Sequence, residues 1–128
     1  MEISWRDFKN QVPSSLRYEH ALRSMQSELL RSKNALAMLE AHHNAPFRTL
    51  TAREMAERVG YNSHGAANLQ YGKLGAALGH ALGLSLTFKV NSIADFILPG
   101  EAGNKELQWV MWPQLAKALD RTLLSGDR

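Results

Sequence analysis

Cysteine is absent from all 128 residues, which excludes a disulfide framework and cysteine-based zinc ribbons and fits a reducing cytosol. No apolar run approaches the roughly 18 residues of a membrane span, and the opening MEISWRDFKN lacks the hydrophobic stretch of a signal peptide. A soluble, cytoplasmic protein is the expectation. The chain also lacks a Gly-rich phosphate loop ending in Lys-Ser/Thr, a GxSxG elbow and an HExxH pair. His42 and His43 are adjacent, so on a helix they project about 100° apart instead of converging on an ion. No catalytic residue, metal or cofactor is expected. One further absence is local: between Glu57 and Asp95 there is no acidic residue, whereas Arg58, Lys73 and Lys89 fall inside that interval with His64 and His80. A polyanion meets no repulsion there.

What is present is the composition of an ordinary folded domain, with 45% hydrophobic and 21% charged residues, and a net charge of only +3. The length suits one domain over 1–128, comprising an N-terminal helical arm (1–46) and a core (47–124). Trp5 and Phe8, at i, i+3, suit a short turn of helix that docks two aromatics. After Pro13, Ser14 or Ser15 can cap a helix running to about Ala41, near 40 Å long. Tyr18, Leu22, Met25, Leu29, Leu36 and Leu39 keep an alternating 4,3 spacing along it, broken at Ser32. That is the repeat of a coiled-coil seam. Leu22, Met25, Leu29 and Leu36 are therefore candidate contacts for a protein partner or a second copy of the chain, against intramolecular packing as the alternative.

Pro46 ends the arm, and 47–50 could form a short strand. Thr51-Ala52-Arg53-Glu54 reads as a capping box opening a short helix that stops at Gly60, a position suited to a left-handed residue. Asn62 or Ser63 then caps a longer helix to Gly83. This is a helix-turn-helix pattern. Gly72, Gly75 and Gly79 lie near one another on the second helix, at about 1 kcal/mol each relative to alanine, so a close approach should offset them. Two readings stand: a second helix packed backbone-close into the groove, or a phosphate backbone or partner protein lying there. Beyond it, LSLTFKV and SIADFIL have strand composition, and LQWVM returns, giving an antiparallel pairing of 92–98 with 107–112. Pro113 suits the first position of a final helix lined by Leu115, Leu119 and Leu123.

The fold class expected from this order is mainly α with a small antiparallel β-hairpin, a winged helix-turn-helix-like domain behind a long N-terminal helix. The run TAREMAERVGYNSHGAANLQYGKLGAALGHALG with ELQWVMWPQLAKAL resembles a module of bacterial HNH-type endonucleases of the restriction kind and of small stand-alone relatives. The likeness covers about Leu50 to Leu119, and its most specific parts are NLQYGKLG and WVMWPQLAKAL. It implies a role near DNA, in restriction or in conflict between phage and host. It implies no catalysis, since the HNH segment itself is missing.

Two functions follow as expectations. In the first the domain binds duplex DNA through Asn62, Ser63, His64, Asn68, Gln70, Lys73 and His80 of the central helix region and Lys105 of the hairpin loop. Asn68 and Gln70 carry the amide that pairs with adenine, but they point about 200° apart and cannot share a groove. In the second it is a protein–protein adaptor or inhibitor acting through the N-terminal helix and the glycine face.

Overall fold

A computed structural model describes residues 2–125. Helix α1 (Trp5–Phe8) is capped by Ser4 and presents Phe8 edge-on to Trp112 at 5.7 Å. The expected single long helix is instead two: α2 (Ser15–Arg31) and α3 (Lys33–Asn44). Ser32 makes the break. Its φ/ψ of −90°/95° leaves the helical region, its amide donates to Glu28 O at 2.9 Å to close α2, and its hydroxyl accepts from the Ala35 amide at 3.4 Å to open α3. A serine that stops one helix and caps the next lets both apolar stripes turn onto one core. Leu22, Met25 and Leu29 are buried there and Leu36 is half-buried, with α2 packed against the helices His64–Ala81 and Pro113–Arg121. The seam is thus covered by its own chain, and the expected free docking arm is corrected.

After a short turn at Pro46–Arg48, β1 (Thr49–Thr51) leads directly into α4 (Ala52–Val59). The capping box forms in both directions: the Glu54 amide donates to Thr51 Oγ1 at 3.0 Å and the Thr51 amide to Glu54 Oε1 at 2.9 Å. Gly60 takes the left-handed conformation at φ 93°. The Ser63 hydroxyl then caps α5 (His64–Ala81), accepting from the Ala66 amide.

Strands β2 (Ala94–Ile97) and β3 (Gln108–Met111) pair antiparallel within the expected spans, and β1 joins on the far side of β3, giving the order β1-β3-β2. The register sets Leu50, Trp109 and Phe96 in one row facing the helices and Thr49, Val110 and Asp95 in the next row on the outer face. Helix α6 (Pro113–Arg121) opens on Pro113 and buries Leu115 and Leu119 against α2, with Leu123 half-buried beyond its end.

LSLTFKV does not form a strand. Only Leu86 is bridged, in parallel to Ile3, and Lys89–Ser92 is a 3-10 turn pressed against α5. Two of its carbonyls find side chains in place of a ladder, Tyr18 Oη donating to Ser92 O at 2.7 Å and Trp112 Nε1 to Asn91 O at 2.7 Å, and the Ser92 hydroxyl in turn donates to Gly75 O of the helix at 2.7 Å. Such satisfaction is what allows irregular backbone inside a core. Among the described residues, no helix is long and apolar enough to cross a membrane.

Candidate functional site

Helix α5 is sandwiched along one side and open along the other. Ala67, Tyr71, Leu74, Gly75, Leu78 and Gly79 are buried, while His64, Asn68, Leu69, Lys73, Ala77 and His80 are exposed. The open arc also carries Gly65 and the half-buried Gly72 and Ala76, so its middle is low and without a carboxylate.

The glycines divide between the two expectations for this face. At Gly75 a β-carbon would collide with the Lys89 carbonyl and stand 2.9 Å from Val90 Cα, so the backbone of the 3-10 turn needs glycine there. A β-carbon at Gly79 would meet only ordinary contacts, the nearest at 3.8 Å, and one at Gly72 would meet nothing beyond its own helix within 4 Å. Close packing is therefore confined to one position and comes from a turn, which corrects the expectation of a second helix filling the groove past Gly72.

Gly72 opens instead onto a cleft of about 530 Å³ between the N-terminal half of α5, the 87–90 segment and the base of the β2–β3 hairpin. Trp5, Phe88, Phe96 and Trp109 wall it, with Asn68 at its edge. Phe96 stands edge-on to Trp5 at 5.7 Å and to Phe88 at 6.2 Å. Phe88 is 53% exposed, a large apolar ring held in water at the mouth.

The residues expected to form one nucleic-acid surface separate around the helix. Asn68 faces the aromatic cleft, whereas Gln70 and Lys73 line a different cavity of about 490 Å³ against the α2–α3 junction, with Glu28 and Ser32 opposite. His80 sits at the C-terminal end beside Ser85 and Lys89. Asn62, Ser63 and His64 are exposed at the N-terminal end, the Ser63 hydroxyl being engaged by its cap. Lys105 is exposed on the α4 side of the hairpin, next to Glu106, which is ion-paired with Arg53. It is not brought to the α5 arc.

His42 is a residue whose part sequence reasoning missed. It is fully buried, with Nδ1 2.6 Å from Tyr71 Oη and Nε2 3.0 Å from Trp109 O. A carbonyl only accepts, so Nε2 carries the proton and Nδ1 accepts from the Tyr71 hydroxyl. Burial lowers the His42 pKa to about 4, against partial opposition from the Trp109 and Arg48 backbone groups, and burial raises that of Tyr71. The signal was available: Ala35, Met38, Leu39 and His42 follow i, i+3, i+4, i+7, so His42 continues the buried stripe of α3. Among the described residues, no group of three or more His, Cys, Asp or Glu side chains is placed to hold a metal ion.

Comparison with protein-family models finds no match, and comparisons with curated proteins and with solved structures find none either.

Proposed function

We propose that this domain is a non-catalytic DNA-binding module that lays the open arc of α5 against duplex DNA. The observation that carries the reading is the charge of that arc: an exposed helix face bearing His64, Asn68, Lys73 and His80 with no carboxylate on it. The succession α3-β1-α4-α5-β2-β3, mainly helical with a small antiparallel sheet in which β3 lies between the other strands, is compatible with a winged helix-turn-helix and supports the same reading. Gly65, Gly72 and Ala76 keep the arc low enough for a phosphate backbone to approach. In this reading Asn68 reads a base edge beside the aromatic cleft, while Lys73, on the Gln70 side of the helix with Glu28 opposite, contacts phosphate at the flank. The sequence likeness to restriction-type endonuclease modules would place such binding in restriction or phage–host conflict.

A second reading, an adaptor that grips another protein, is favoured by one different observation. Phe47 is 95% exposed at the α3–β1 turn, on a backbone with φ of 55°, and Arg48 follows at φ 50°. An aromatic held in water by a left-handed backbone is an anchor of the kind interfaces use.

Anisotropy titration of a labelled duplex across salt concentrations separates the two. DNA binding should weaken steeply as salt rises, and Lys73→Glu should weaken it at low salt and reduce the salt slope by roughly one unit. Absence of measurable duplex affinity at low salt overturns the DNA reading.

A further inference from the structure

We infer that the aromatic cleft beside α5 is a site for one unpaired nucleotide, its base between the rings and its phosphate at the rim. The inference rests on the DNA reading and deepens it. Room comes first: about 530 Å³ lies within the range of small-ligand sites and takes a single base with its sugar. Gly72 forms the α5 side of the cleft, and the space that its missing side chain leaves has no other atom within 4 Å. Any larger residue there would fill the cleft from the helix.

The chemistry of the walls then selects the occupant. Trp5, Phe88 and Phe96 offer π surfaces above the buried Trp109, and a base stacks on such surfaces whatever its identity. Asn68 brings a side-chain amide, donor and acceptor together, to the edge of the site. Lys89 reaches back to Leu86 O at 3.1 Å and keeps two ammonium protons for a second acceptor, and the Arg6 guanidinium lies 4.5 Å from the Trp5 ring centroid. No residue lining the cleft is acidic. Two carboxylates adjoin lining residues in sequence: Asp95 lies on the outer row of the sheet and accepts the Phe96 amide, and Glu106 is ion-paired with Arg53 on the α4 side. An apolar peptide would use the rings and leave the two cations idle. Phe47 of a second copy would bring Arg48 towards Arg6 and Lys89, where like charges repel. A nucleotide uses rings, amide and cations together.

The test places 2-aminopurine, a fluorescent adenine analogue, either paired in an intact duplex or unpaired opposite an abasic site in an otherwise identical duplex. The wild-type protein should bind the second duplex roughly tenfold tighter and quench its fluorescence by stacking. Gly72→Leu and, separately, Phe88→Ala should bring the affinity ratio back towards one. Phe88 is half exposed and its truncation leaves the fold standing, so a melting curve on each variant separates loss of the site from loss of structure. Adenosine monophosphate alone distinguishes a free nucleotide from a strand-borne one: saturable quenching of tryptophan by it without any duplex affinity keeps the nucleotide site and overturns the DNA reading. Equal affinity for both duplexes with no change in 2-aminopurine emission overturns the inference and leaves the DNA reading standing. Tryptophan quenching by a Phe-containing apolar peptide, and not by either duplex or by the monophosphate, overturns both.

Discussion

The imidazole of His42 accepts the Tyr71 hydroxyl at 2.6 Å while donating to the Trp109 carbonyl at 3.0 Å, so one neutral ring ties α3, α5 and the central strand. Protonation removes the acceptor and buries a charge. With a folded pKa of about 4 against 6.5 for the free side chain, the unfolded chain binds the proton first as pH falls. The contribution is therefore complete above pH 6.5 and is lost on going down through pH 4. The difference corresponds to about 3 kcal/mol. Denaturant midpoints measured from pH 7.5 to 4 should fall across this window and flatten in His42→Gln; a midpoint independent of pH in the wild type contradicts the assignment.

Gly72 and Gly75 should respond to the same substitution with opposite signs. Gly72→Ala meets no neighbour and gains helix propensity, about 1 kcal/mol in favour of the fold. Gly75→Ala drives a methyl group into the Lys89–Val90 backbone and should cost roughly 1–3 kcal/mol. Thermal melts of the two variants decide it, and equal shifts would mean that the Lys89–Val90 backbone does not pack on Gly75.

Relief of the left-handed backbone at the α3–β1 turn should be measurable on its own. Phe47 is almost wholly in water, so its ring contributes little to the core, while a non-glycine residue in that conformation costs about 1 kcal/mol. Phe47→Gly should raise the melting temperature by a few degrees. If the variant melts lower, the ring has a partner that holds it.

The α2 stripe should behave as core. Leu29→Glu places an unpaired carboxylate at a site 3% exposed and should cost roughly 3 kcal/mol or more, seen as a lowered denaturation midpoint. A variant of wild-type stability that only changes its sedimenting mass would return Leu29 to an interface.

Much of the local structure was legible because it is written in short-range chemistry. Thr51 with Glu54, Gly60, Ser63 and Pro113 each act within one turn of helix, and each stands at an element boundary. Ser32 shows where this stops: a serine tolerates a helix interior and also caps a helix, and only the need of α2 and α3 to face one core chooses between them. Leu84–Val90 has strand composition, but only Leu86 is bridged and the turn that follows packs on α5, so tertiary contacts override the local preference. The same holds for the site. The open arc of α5 follows from helical periodicity, whereas the cleft needs Trp5 and Phe96, 91 residues apart, at 5.7 Å.

The place of β3 in the middle of the sheet sets when this chain can fold. As the polypeptide leaves the ribosome, β1 emerges first and β2 later, yet neither pairs with the other, because the strand between them is Gln108–Met111. Until that strand arrives, Leu50 and Phe96 lack their neighbour Trp109 and His42 lacks its carbonyl. The nascent chain therefore carries helices without the closed sheet until Gln108–Met111 appears. A ribosome stalled before residues 108–111 have emerged should hold a chain more protease-sensitive than one that has released them.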